Sequence, residues 1–308
     1  MKQCYVSIPF KVKAISGGRF VDFEYLYYDV IRPCVYNLGY EAFRADELRG
    51  DSVVHAAIAS AIVNSELMIA DISSRSPNVL YEVGLRHGLR SGTTVVISNA
   101  RERIPFALSN IFVVRYGLDD ERPTLEEMEG LRKQLARAIK EGEESHSSYR
   151  SPLEEIFEGL PANLTAGPAK PTSVFIGHGH NPLWRAVRDY IRDDLCLQVN
   201  AYESESHVGE AIVPVLEKML RNATFAVLVL TAEDETAAGQ HRARQNVVHE
   251  AGLFQGMLGF HRAILLLQSG VEHFTNVEGL QCIEFQGNKI EVAFHELRRA
   301  LKREGLIS

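Results

Sequence analysis

The stretch Asn246-Val247-Val248-His249-Glu250-Ala251-Gly252-Leu253-Phe254-Gln255-Gly256 decides the reading of this chain, because it occurs twice. In the first half, Asn78-Val79-Leu80-Tyr81-Glu82-Val83-Gly84-Leu85-Arg86-His87-Gly88 keeps the frame Asn-Val-x-x-Glu-x-Gly-Leu-x-x-Gly without a gap, again between two apolar runs. A self-match of this length sets the architecture before any single residue is weighed. It predicts two related domains with Glu82 and Glu250 at equivalent places. Pro77 suits the first turn of the upstream copy, and the downstream helix is expected to start near Arg244 or Gln245.

Working outward, each copy lies among alternating strand and helix patterns. Upstream, the strands are Cys4 to Ile8, Tyr40 to Phe43, Leu67 to Ile72, Thr93 to Ser98 and Ile111 to Val114. Helices are expected over Asp22 to Asn37, with a kink or a break at Pro33, and over Val53 to Asn64, Pro77 to Arg90 and Thr124 to Glu141. Downstream the order repeats: strands Ser173 to Gly177, Gln198 to Tyr202, Thr224 to Leu230, Arg262 to Leu267 and Gln281 to Phe285, with helices over Pro182 to Leu195, Gly209 to Arg221 and Val292 to Arg303. Apolar runs such as Met68-Ile69-Ala70 are two-sided, which marks parallel sheets covered on both faces. The fold class is therefore α/β: two flavodoxin-like, doubly wound domains, each with a mostly parallel five-stranded sheet. Residues 1–145 form the first and 172–308 the second. Residues 146–171, rich in Glu, Ser, Gly and Pro, form the linker.

Composition narrows the function. At 308 residues the chain has room for two ordinary cores. The net charge of −7 argues against general nucleic-acid binding, which draws on clustered Lys and Arg. No apolar run approaches the roughly 20 residues that span a bilayer, and the N-terminus has no signal-peptide core, so no membrane partner is expected. Cys4, Cys34, Cys196 and Cys282 form no Cys-x-x-Cys pair, which fits a reduced, cytoplasmic setting.

In doubly wound sheets ligands sit at the carboxyl ends of the strands. There the second domain offers Gly177-His178-Gly179-His180-Asn181, whose glycines let backbone N–H groups approach a phosphate, with the Pro182 helix start behind them. The loop Glu203 to Gly209, with Ser206, has the polarity and flexibility of a lid. Asn246 and Glu250, four apart, share a helix face toward this crevice. A lone helical Glu is ordinarily solvated; the repeat, with Gly84 and Gly252 two residues after each Glu, gives this one more weight. Asn246 is either a helix cap or a ligand contact. Trp184, Leu253 and Phe254 read as core. No metal site is expected, since His178 and His180 lack a further ligand at suitable spacing. Glu233-Asp234-Glu235 is ordinarily a solvated run, with a divalent-cation role as the alternative.

These residues carry a resemblance. From Val174 to Ile307 the chain resembles the bacterial TIR-like domain found at the effector end of cyclic-nucleotide-triggered anti-phage systems (CBASS and Pycsar). The matching stretches are Phe175-Ile176-Gly177-His178-Gly179, Leu230-Thr231-Ala232-Glu233-Asp234-Glu235, Arg242 to Gly256 and Leu258-Gly259-Phe260. The resemblance implies cleavage of the nicotinamide–ribose bond of NAD, with Glu250 catalytic; the loop residues Gly177, His178, Gly179 and Ser206, together with Asn246, are the nucleotide contacts expected from the loops and the helix face described above. It also implies no cofactor beyond NAD as substrate, a nucleotide or phage-derived trigger and homo-oligomerisation on activation. Hydrolysis and cyclisation of the ADP-ribose product both stay open.

The first domain is similar to the nucleoside 2-deoxyribosyltransferase superfamily through Ile69-Ala70-Asp71-Ile72-Ser73 and Pro77 to Gly84, without the Gly-Thr that usually precedes the glutamate. That implies a possible second site at Asp71, Asn78 and Glu82, acting on nucleosides or nucleotides. The alternatives are a sensing or assembly module, or a non-catalytic receptor. Both families break N-glycosidic bonds, where a carboxylate beneath C1′ stabilises or captures the oxocarbenium-like centre.

Overall fold

The computed structural model describes residues 1–48, 54–89, 92–109, 111–117, 121–144, 173–201, 222–235, 241–272 and 282–308. It divides the chain into two compact units, Met1–Glu155 and Ile156–Ser308. The linker expected over 146–171, the helix Gly209 to Arg221 and the Glu203 to Gly209 loop lie outside the described residues.

In the first unit the strands are β1 (Lys2–Ser7), β2 (Val12–Ile15), β3 (Arg19–Asp22), β4 (Tyr40–Phe43), β5 (Leu67–Asp71), β6 (Thr93–Asn99) and β7 (Val113–Tyr116). The main sheet runs β4-β1-β5-β6-β7, and all its pairs are parallel. Every residue of β5 and β6 is buried, as a sheet covered on both faces requires. Between β1 and the first helix the chain forms an antiparallel hairpin, β2 with β3. Gly17 and Gly18 turn it at φ of 78° and 72°, values that a side chain resists. The last strand lies two residues later than the apolar pattern suggested, because Ile111 and Phe112 precede it.

Pro33 does not break its helix. The chain stays helical from Phe23 to Asn37, but Leu26–Ile31 widens into a π turn in which the Arg32 N–H reaches Tyr27 O. A proline ring crowds the carbonyl one turn back and offers no N–H, and the extra residue per turn accommodates both. The helix Pro77–Leu89 follows β5, and Leu125–Glu144 closes the unit. Thr124 and Glu127 cap the closing helix reciprocally: the Glu127 N–H donates to Thr124 Oγ1 at 3.3 Å, and the Thr124 N–H to Glu127 Oε2 at 2.7 Å.

The second unit repeats the plan with β8 (Ser173–His178), β9 (Gln198–Ala201), β10 (Phe225–Leu230), β11 (Asp234–Glu235), β12 (His241–Arg242), β13 (Ala263–Gln268) and β14 (Cys282–Phe285). Its main sheet, β14-β13-β10-β8-β9, is again parallel and has the same chain order as the first, read from the other edge. Between β10 and the following helix, β11 and β12 form a two-stranded antiparallel pair. The helix Gln245–Leu258 leads into β13, held there by Gln255 Nε2 donating to Ala263 O at 3.1 Å. Trp184, Phe175 and Phe254 are core, as their apolar character predicts; the last two rings stack at 4.3 Å.

The register makes the two sheets comparable residue by residue. Cys4 lies beside Leu67, and Val174 beside Phe225. Counting from these pairs, Tyr5 matches Phe175, Ser7 matches Gly177, Asp71 matches Val229 and Ser73 matches Thr231.

Candidate functional site

In the second unit Glu250 stands in the helix Gln245–Leu258, with its carboxylate at the end of β8. A Cβ at Gly177 would lie 2.7 Å from Glu250 Oε2 and inside the side chain of Leu228, so this position admits glycine alone without a shift. The acid therefore rests directly on the backbone of the glycine loop. No hydrogen bond reaches that carboxylate among the described residues. Burial pushes its pKa up to about 8, and the nearby Arg244 cation only partly opposes this. The adjacent His249 is 3% exposed, and burial pushes its imidazole down to about 4, which keeps it neutral.

The rest of the loop is tightly organised. The His178 ring stacks on Trp184 with centroids 3.9 Å apart and planes 8° apart, and Nδ1 lies 2.7 Å from Gly179 O. The guanidinium groups of Arg188 and Arg185 lie 5.3 and 5.7 Å from the Trp184 ring centroid. Beyond His178, the backbone amides of His180 and Asn181 donate to Glu233 at 2.6 and 3.2 Å, and Thr231 Oγ1 donates to the same carboxylate at 2.7 Å. A Cβ at Gly179 would overlap both Glu233 oxygens. Two glutamates thus abut the two glycines of one loop. The run Glu233-Asp234-Glu235 is therefore not a plainly solvated one: Asp234 and Glu235 are exposed, but Glu233 is bound in.

Of the residues expected at a nucleotide, Gly177, His178, Gly179 and Glu250 come together. Asn246 lies in the first turn of the Glu250 helix and is not its cap, since Arg244 occupies that place. Ser206 lies outside the described residues. Glu233 is the addition, held 53 residues from its amide partner in sequence, and nothing local announces it.

The first unit has the same helix but different surroundings. Glu82 is 5% exposed and accepts hydrogen bonds from Ser7 Oγ at 2.5 Å and Tyr5 OH at 3.0 Å. Tyr5 and Ser7 lie two apart on β1 and so face one side. Asp71, at the end of β5, accepts from Ser73 Oγ at 2.6 Å, Tyr116 OH at 2.7 Å and the Ser73 amide at 2.9 Å. Burial nevertheless pushes Asp71 up to about 6, the three donors opposing it. Asn78 is in the first turn of the Glu82 helix. Glu102, 4% exposed, accepts from both the amide and the hydroxyl of Ser16 and tethers the β2–β3 turn to this edge.

Among the described residues no three His, Cys, Asp or Glu side chains converge as metal ligands would. None of the described helices is long and apolar enough to cross a membrane.

Comparison with known proteins adds family context for the second unit. Residues 173–287 match the family model described as CAP12/Pycsar effector protein, TIR domain. This supports a TIR domain of the defence-effector type there, with Glu250 and the glycine loop inside the matched segment. The chain is also 27% identical over 113 residues to an Escherichia coli K12 protein, Uncharacterized protein YuaY; the match covers 35% of this chain and 38% of that protein. The chain therefore spans well under two thirds of that relative. A crystal structure of NtrX from Brucella abortus in complex with ADP aligns over 87% of this chain and 52% of its own, at 14% identity and a TM-score of 0.26. A likeness that low carries no argument.

Proposed function

We propose that the second unit is an NAD glycohydrolase acting through Glu250, in a protein that serves as an anti-phage effector by depleting NAD. One observation carries this reading: inside the segment that matches an effector TIR domain, a carboxylate that no hydrogen-bond donor among the described residues reaches abuts the glycine loop at the carboxyl edge of a parallel sheet. Such an acid is held for a partner that arrives with the ligand.

The nicotinamide ring of NAD is a cation. As the bond from its nitrogen to ribose C1′ breaks, the bonding pair leaves with the ring and neutralises it, so no general acid is needed. Positive charge then builds at C1′. An ionised Glu250 beneath it stabilises or captures that centre, and water or an internal acceptor completes the reaction, its proton passing to solvent. With its pKa up to about 8, Glu250 is mostly protonated at neutral pH before substrate arrives. The ring cation favours the ionised form, so NAD itself helps to prepare the carboxylate.

The first unit fits a sensing or assembly role better than a second enzyme, since its carboxylates are already bound by the unit's own hydroxyls and amide. A nucleotide or phage-derived signal would act there or through self-association. The direct test is nicotinamide release from NAD by the full chain and by Glu250→Gln. Release that persists in the folded variant removes the assignment.

A further inference from the structure

We infer that Glu233 is a resident stand-in for a phosphate, so the glycine loop is self-blocked until an anionic ligand displaces it. The inference concerns the same site as the proposed glycohydrolase and uses from that reading only the premise that the ligand bears phosphate.

Two main-chain amides, His180 and Asn181, and the Thr231 hydroxyl converge on one carboxylate at 2.6, 3.2 and 2.7 Å. No cation among the described residues pairs with it. Converging neutral donors form an anion cradle whose shape is set by the backbone, and such a cradle accepts a phosphate as readily as a carboxylate. Gly179 leaves the cradle open, since a side chain there would fill the place of both Glu233 oxygens. The two cradle amides, His180 and Asn181, lie two and three residues beyond His178 on the same loop whose Gly177 backbone Glu250 rests against, so the cradle and Glu250 share one loop.

Glu233 is brought to the cradle by its own support. Its N–H donates to Arg242 O at 3.0 Å, continuing the β11–β12 pair. Arg242 is ion-paired to Glu272, whose N–H in turn donates to His241 O at 2.7 Å. Ala232 N–H donates to Gln268 Oε1 at 2.8 Å. An internal carboxylate delivered this way competes at high effective concentration, and it weakens an external anion by the fraction of time that the cradle is open.

The test is binding, not turnover, so its result does not depend on whether NAD is cleaved. Inorganic pyrophosphate is titrated into the full chain while the fluorescence of Trp184 is followed; this is the only tryptophan, and it stacks on His178 of the same loop. In Glu233→Gln one oxygen becomes an NH2 group that cannot accept from the three donors. In Glu233→Asp the charge stays but the reach is shorter. Each variant is expected to bind pyrophosphate at least about tenfold more tightly than wild type. The exposed neighbour Glu235→Gln removes the same charge as Glu233→Gln and is expected to stay within about twofold of wild type. Melting curves establish that each variant is folded, and either Glu233 variant alone suffices. Unchanged or weaker binding in a folded Glu233 variant, or an equal gain in Glu235→Gln, overturns the inference.

Discussion

Glu82 and Glu250 occupy one frame in two sheets of the same order, yet their surroundings differ at three matching strand positions. Where the first sheet presents Tyr5, Ser7 and Asp71, the second presents Phe175, Gly177 and Val229. Two hydroxyls therefore hold Glu82. No donor among the described residues reaches Glu250, and burial raises its pKa. The lesson is that the helix motif places the carboxylate and the strands decide its state. An acid already bound by its own domain is part of the architecture, while one left unsatisfied awaits a ligand.

The comparison breaks most readily at the acids themselves. Glu250→Gln is expected to lower nicotinamide release by roughly a thousandfold or more, the scale of losing a group that acts only in the transition state. Glu82→Gln should change it by less than about twofold. Equal losses in both variants would erase the distinction.

Next in size is the pH dependence. Glu250 must be ionised to act, so kcat/KM for NAD should rise about tenfold per pH unit from pH 6 and level near 8, the value expected for the free protein. Stability moves the other way. A folded-state pKa raised above the unfolded one means that the native state holds the proton longer, so stability is fully present below about 4.5 and is lost as pH rises toward 8. Glu250→Gln lacks this loss, and its melting temperature should exceed that of wild type increasingly between pH 5 and 8. A flat difference would place the carboxyl in a water-like environment.

Ser7→Ala sharpens the other half. It leaves the buried Glu82 carboxylate one donor short, at a cost of about 1–3 kcal/mol in chemical denaturation, with nicotinamide release per folded molecule unchanged. Smallest is Thr124→Ala, which removes the cap of the helix Leu125–Glu144 at a cost of about 0.5–2 kcal/mol, read in the same way.

Much of this was legible in the chain. The repeat and the two-sided apolar runs specify both sheets, and Gly177 and Gly179 at the end of β8 mark the sheet edge where Glu250 lies. The Tyr5 and Ser7 hydroxyls were not foreseen, because their target lies 77 and 75 residues away and a polar residue in a strand is as often solvated. Glu233 escaped for the same reason: an acidic run reads as solvated unless the amides that fold against it are known. The β2–β3 hairpin was hidden by its mixed polar character, although Gly17-Gly18 between Ile15 and Phe20 was its available signal.

The most direct test of the central claim is a concentration series of nicotinamide release from NAD with wild type, Glu250→Gln and Glu82→Gln, each checked for folding. Release is expected to climb steeply with protein concentration as the chain assembles, to be kept in Glu82→Gln and to be lost in Glu250→Gln. Release that survives in Glu250→Gln, or that disappears with Glu82→Gln instead, would contradict that claim.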